Sequence, residues 1–227
     1  MIANAGSDEM KKYKGGKAGD QTCNEFGVIK WYSRPWSCVL RYPDEKAANE
    51  IARIAKAAAM NECIGYDQGE RLTFYRRLKE AGWDPSKIRE KCETDCSAST
   101  SAIVIAAGYR LGIAELKKIN PSCTTAVMRR SFVCSGFDCL TAKKYLTSDK
   151  YLLPGDILLY DGHHVAINLD RGSRVGEPTG SEPGLTTVAR EVIAGQWGEG
   201  SARRAALTAA GWNYAIVQAE VNRLLGK

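Results

Sequence analysis

Glu93-Thr94-Asp95-Cys96-Ser97-Ala98-Ser99-Thr100-Ser101 runs without a break into Ala102-Ile103-Val104-Ile105-Ala106-Ala107. A polar, turn-forming opening followed by an apolar, alanine-rich run reads as a helix whose first turn holds Cys96. Asp95 and Ser97 are both good N-cap residues. The unpaired N–H groups of a first helical turn carry partial positive charge and favour an anion there. A cysteine in that turn is expected to lose its proton more readily, and the thiolate is the nucleophile. The competing reading is a buried helix cysteine, since free cysteine is among the most buried residue types.

A second stretch supplies a partner. Leu153-Pro154-Gly155-Asp156-Ile157-Leu158-Leu159-Tyr160 is followed by Asp161-Gly162-His163-His164-Val165-Ala166-Ile167-Asn168-Leu169. This is the pattern of strand, tight turn and strand. The chain has only two histidines, and both stand at the start of the second strand. Neutral imidazole is the usual base for a cysteine nucleophile, and the two can meet in space though far apart in sequence.

The chain has 227 residues, room for one medium domain and one small one. Hydrophobic residues make up 44%, enough for a real core. The net charge is +6, but the basic pairs, such as Lys11-Lys12, Arg76-Arg77 and Arg203-Arg204, are scattered. No basic stripe with interleaved aromatics forms, so a nucleic-acid partner is not expected. Met1-Ile2-Ala3-Asn4-Ala5-Gly6-Ser7-Asp8 has no apolar core of a secretory signal, and no run is long enough to span a membrane. Synthesis in a cytoplasm would keep most of the eight cysteines reduced, with Cys134 and Cys139 able to pair later in an oxidising setting. Cys92, Cys96, Cys134, Cys139 and the histidines lack the tight CxxC spacing of structural zinc sites, so no metal and no cofactor are expected. Gly15 to Thr22 is glycine-rich but lacks the Gly-Lys-Ser/Thr ending of a phosphate loop.

In chain order, the residues through Lys17 are expected to be mobile. Val28–Tyr32 and Cys38–Arg41 read as short strands around Pro35, with Trp31 and Trp36 as packing residues. Pro43 and Asp44 open a core helix, Leu72–Leu78 lies on an amphipathic helix ended by Gly82, and Leu140–Leu146 on a further short one. Glu177 to Gly184 is a linker by composition. Behind it come three short helices: about 188–194, about 202–210, and a third capped by Asn213.

Gly65-Tyr66-Asp67-Gln68, Arg71, Asp95-Cys96-Ser97, Pro154-Gly155-Asp156 and His164-Val165-Ala166-Ile167 together resemble the NlpC-type cysteine peptidases of bacteriophage endolysins. Gly16 to Thr22, Trp31-Tyr32 and Pro35-Trp36 resemble the leading segment of those lysins. The tail, through Ile193-Ala194-Gly195, Trp197-Gly198, Gly200, Arg203, Leu207, Ala210-Gly211, Tyr214 and Val217-Gln218, resembles the cell-wall-binding repeat first met in a pneumococcal phage lysozyme.

The first resemblance implies an α+β, papain-like fold over 1–178; composition and periodicity add a linker over 179–186 and a small three-helix bundle over 187–227. It implies a cysteine amidohydrolase of peptidoglycan, with Cys96 as nucleophile and His164 as base. His163 is the competing base or a rim residue. Tyr66 would join the oxyanion hole. Asp67, Arg71, Asp95 and Ser97 are candidates for holding the stem peptide, each with a structural alternative. The third, orienting residue is expected about a dozen residues after the histidine, at Glu177, with Asn168 and Asp170 as alternatives.

The second resemblance implies that the tail binds a muropeptide, with Arg203 on a carboxylate and Trp197 against sugar or packing. The expected protein is a monomeric lysin, made in a host bacterial cytoplasm and acting at the wall with no nucleic-acid or membrane partner. It would reach the wall through a separate membrane route such as a holin. The scissile bond is expected after D-glutamate or D-isoglutamine in the stem. The bond between muramic acid and L-alanine, an inert wall-binding protein and a metal-dependent hydrolase are the alternatives.

Overall fold

The computed structural model describes residues 1–175 and 185–225. The chain divides into two compact units, Met1–Val175 and Gly176–Lys227. The first is mixed α/β. Its six-stranded antiparallel sheet is built from β1 (Ile2–Ala5), β2 (Phe26–Ile29), β3 (Cys38–Arg41), β6 (Asp138–Leu140), β7 (Ile157–Tyr160) and β8 (His164–Asn168), in the order β2-β1-β8-β7-β3-β6. A separate two-stranded parallel pair joins β4 (Ile64–Tyr66) to β5 (Cys92–Thr94).

Side chains alternate across the sheet. Ala3, Ala5, Cys38, Leu40, Ile157, Leu159, Val165 and Ile167 enter the main core. Ile2, Val39, Leu158 and Ala166 enter a second cluster, covered by Trp36 and Leu152 with Trp31, Tyr32 and Tyr145 beside them. Both faces are therefore dry, which explains why β7 reads as a continuous apolar run.

The main core is filled by α1 (Glu45–Ala59) and α3 (Cys96–Leu111). Asp44 caps α1 by accepting the Ala47 N–H at 2.7 Å. From Cys96 to Gly108 every residue of α3 is buried. Alanines and serines let it lie in the middle of the unit, and the serine and threonine hydroxyls donate back to carbonyls of the same helix, as from Thr100 to Cys96 at 2.9 Å. Gly112, at φ 76°, ends it with a left-handed cap. The shorter helices α2 (Thr73–Glu80), α4 (Ala114–Lys117), α5 (Thr125–Cys134) and α6 (Lys143–Leu146) complete the unit. The stretch expected as one helix from Leu140 to Leu146 is the end of β6 followed by α6.

The opening residues depart from expectation. Rather than a mobile lead, Ile2–Ala5 is an interior strand, paired with β2 on one side and β8 on the other. The long loop after it is tied down by carboxylates that accept backbone N–H groups. Asp8 takes those of Met10 and Lys12, Asp20 those of Thr22, Asn24, Glu25 and Phe26, Asp67 that of Gly15, and Glu93 that of Gly19. A segment without a ladder satisfies its donors in this way.

In the second unit α7 (Leu185–Ile193), α8 (Gly200–Ala209) and α9 (Tyr214–Leu224) share a core of Val188, Ala189, Val192, Leu207, Val217 and Val221. Asn213 caps α9 through the Ala215 and Ile216 N–H groups. The linker expected over 179–186 lies almost wholly outside the described residues. Among the described residues no helix is long and apolar enough to cross a membrane.

Candidate active site

Cys96 is the first residue of α3, and the backbone N–H groups of Val165, in the strand that begins with His164, and of Ser97 favour its thiolate. A cleft of about 300 Å³ is lined by Cys96, His164, His163, Tyr66, Gln68, Asn4, Tyr32, Arg34, Tyr13, Gly6 and Gly162. The two ends of the chemistry expected from sequence thus line one cavity.

His164 is buried, with its ring 6.2 Å from that of Trp36. Its Nε2 lies 2.8 Å from Asn4 Oδ1, which also accepts the Tyr32 hydroxyl at 3.2 Å. With the amide oxygen as acceptor, Nε2 carries the ring proton and Nδ1 keeps the lone pair that a base needs. The described residue at hydrogen-bond distance from the His164 ring is thus Asn4. Glu177 itself lies outside the described residues. Asn168 faces elsewhere, donating to the Leu153 and Asp170 carbonyls, and Asp170 pairs with the N-terminal amine. Asn4 reaches the ring because β1 lies beside β8 in the sheet.

The electrostatics also differ from the expectation at Cys96. Burial, and then the Asp95 carboxylate, push its thiol up to about 12, against the smaller opposing pull of the Val165 and Ser97 N–H groups. Burial, and then the Arg34 charge, hold His164 down at about 4. At neutral pH the cleft is therefore lined by a neutral thiol and a neutral imidazole. The first-turn N–H groups act as expected, but desolvation outweighs them.

Tyr66, at the end of β4, is nearly wholly buried, and burial and the neighbouring Cys96 raise its pKa, so the hydroxyl stays protonated. It accepts a hydrogen bond from Gln68 Nε2 at 3.2 Å, which leaves its own proton to donate. His163 is exposed at the rim, stacked on Tyr160 with ring centres 4.3 Å apart.

The other candidates from sequence are engaged with the protein. Asp67 accepts the Gly15 and Gly69 N–H groups. Asp95 caps α3 through the Ser97 and Ala98 N–H groups. Arg71 Nε lies 2.6 Å from Asp95 Oδ2, near enough for an ion pair though not aligned as a hydrogen bond. Arg71 also donates to Ser97 Oγ at 2.8 Å and to the Cys123 carbonyl at 3.1 Å. Arg71, Asp95 and Ser97 thus form one network that braces the start of α3. In the second unit Trp197 donates to Glu191 at 2.9 Å and packs on the helix core, and Arg203 donates to the Gly198 carbonyl at 2.9 Å.

All eight cysteines are free. Among the described residues no group of three or more His, Cys, Asp or Glu is placed to hold a metal ion. Sequence reading missed Asn4, Tyr32, Arg34 and Gln68. Gln68 and Tyr32 stood within quoted motifs, and Asn4 carried no signal beyond its place between apolar neighbours.

A family model described as an endolysin-like domain matches residues 2–175, and one described as a CW_7 repeat matches 186–225. No curated protein and no solved structure matches the chain. The chain belongs to the endolysin-like domain family and carries a CW_7 cell-wall-binding repeat behind that domain, the pairing of a peptidoglycan-targeting lysin.

Proposed function

We propose that this lysin is a cysteine amidohydrolase of peptidoglycan, with a papain-like, NlpC-type catalytic domain over 1–178, a linker over 179–186 and a three-helix wall-binding bundle over 187–227. The observation that carries the reading is the joint placement of Cys96 and His164: one begins α3, the other begins β8, and both line one cleft.

In this reading His164 Nδ1 takes the thiol proton as sulfur attacks the amide carbonyl. Both groups start neutral, so proton transfer and attack proceed together. The Tyr66 hydroxyl and the Cys96 N–H hold the tetrahedral oxyanion. The imidazolium then protonates the leaving amine, and the C–N bond breaks to give a thioester. Water, deprotonated by the same imidazole, adds to the thioester, and the thiol leaves with its proton restored. Asn4 is a positioning residue that keeps Nδ1 aimed at the sulfur.

The bond assigned is the one from D-glutamate or D-isoglutamine to the diamino acid of the stem. The repeat keeps the enzyme on its insoluble substrate by binding muropeptide, with Arg203 and Trp197 as candidate contacts. A single repeat gives modest affinity without the avidity of linked copies. The lysin acts as a monomer at the wall.

Clearing of Gram-positive walls, followed as turbidity loss, is expected to vanish in Cys96→Ala with the circular dichroism unchanged. Equal clearing by that variant rejects the nucleophile. Mass spectrometry of the soluble fragments identifies the bond, and a new muramic-acid terminus in place of a new diamino-acid amine would replace the endopeptidase by an amidase.

A further inference from the structure

Among the described residues lining the Cys96–His164 cleft, Arg34 is the only lysine, arginine, aspartate or glutamate. Its guanidinium lies 5.8 Å from the centre of the Tyr32 ring, and the side chain is half-buried. Among the described residues it has no carboxylate partner and no side-chain hydrogen bond. The other charges near the site are spent: Arg71 is held by Asp95, and Asp67 by backbone N–H groups. A planar fork of donors held against an aromatic ring, with no anion of its own, is suited to a carboxylate. Its field reaches the base as well, as the lowered basicity of His164 shows.

We infer that Arg34 selects substrates that carry a free carboxylate beside the scissile amide. The inference rests on the peptidase reading above and names its substrate class: acidic stem peptides over their amidated forms. Two carboxylates of the stem could supply the charge, that of γ-linked D-glutamate and the side-chain carboxylate of meso-diaminopimelate.

The test is calorimetric titration of the full-length Cys96→Ala protein with synthetic tripeptides whose C-terminal α-carboxyl is amidated, as it is in the stem. L-alanyl-γ-D-glutamyl-L-lysine is compared with its D-isoglutaminyl counterpart, and the latter with its diaminopimelate analogue. A charge-assisted pair predicts a preference of about tenfold or more for one of the two acidic peptides, and which one identifies the source. Adding Arg34→Gln should shrink that ratio to about threefold or less, whereas Arg34→Lys keeps part of it. Equal binding of all three peptides, no binding of any, or a preference that survives Arg34→Gln overturns the inference. Binding is read without the sulfur, so failure of the nucleophile assignment shows separately, as wall clearing by Cys96→Ala.

Discussion

Asn4 Oδ1 stands 2.8 Å from His164 Nε2 across 160 positions of chain, because the first strand and the last strand of the unit lie side by side. The hydrogen-bond partner of the imidazole thus comes from the N-terminal strand, and in the proposed mechanism it orients the base. A residue that fixes the tautomer of a base lets the chain switch between accepting and returning one proton at one place.

Asn4→Ala should therefore lower kcat on the order of 10²-fold, the scale of a misaligned general base, with KM changed far less. Asn4→Asp should keep more activity. A carboxylate beside Nε2 stabilises the imidazolium, so the acid limb of the pH profile should move up in pH. Steady-state kinetics on soluble muropeptides check both. Equal losses in the two variants with no movement of the limb would reduce Asn4 to packing.

His164 also sets an acid limit on stability. Its basicity is depressed from 6.5 to about 4, so below pH 6.5 the unfolded chain binds a proton that the folded chain refuses. Stability rises with pH through this window and is lost as pH falls from about 6.5 to 4, by up to roughly 3 kcal/mol from this group. Urea midpoints for wild type and His164→Gln, compared at pH 7 and pH 4.5, isolate that share. The acid limb of kcat/KM for the free enzyme should lie well below 6.5 for the same reason.

Gly155 and Asp156 brace the hairpin. Gly155 sits at φ 84°, and a Cβ there would run into the Ala48 carbonyl, so Gly155→Ala should destabilise by about 3 kcal/mol or prevent folding. Asp156 is almost fully buried; it accepts Arg41 Nε at 2.8 Å and the Leu153 N–H at 2.8 Å. Removing Arg41 strands that carboxylate, and Arg41→Ala should cost about 3–5 kcal/mol in chemical denaturation.

Leu207 is the fully buried contribution of α8 to the core of the C-terminal unit. Leu207→Ala should cost about 2–4 kcal/mol there, a large share of what so small a unit has. Wall pull-down should weaken, while hydrolysis of soluble muropeptides stays at the wild-type rate. Parallel loss of both activities would mean that the two units are not separable.

Local order is legible in the chain. The Asp95–Ala107 run, the β7–β8 hairpin with its paired histidines, the Asp44 and Asn213 caps and the glycines that end the tail helices all act within a few residues. Caps, turns and periodicity need no distant partner to be read. What the chain does not display is who stands next to whom. A four-residue strand such as Ile2–Ala5 has too little pattern to announce itself, and its place beside β8 is decided by burial of both sheet faces. That placement, not any motif, brings Asn4 to His164. The thiol's protonation follows the same division. The helix start that favours its anion lies in the sequence, while the desolvation that overrides it exists only once α3 is enclosed.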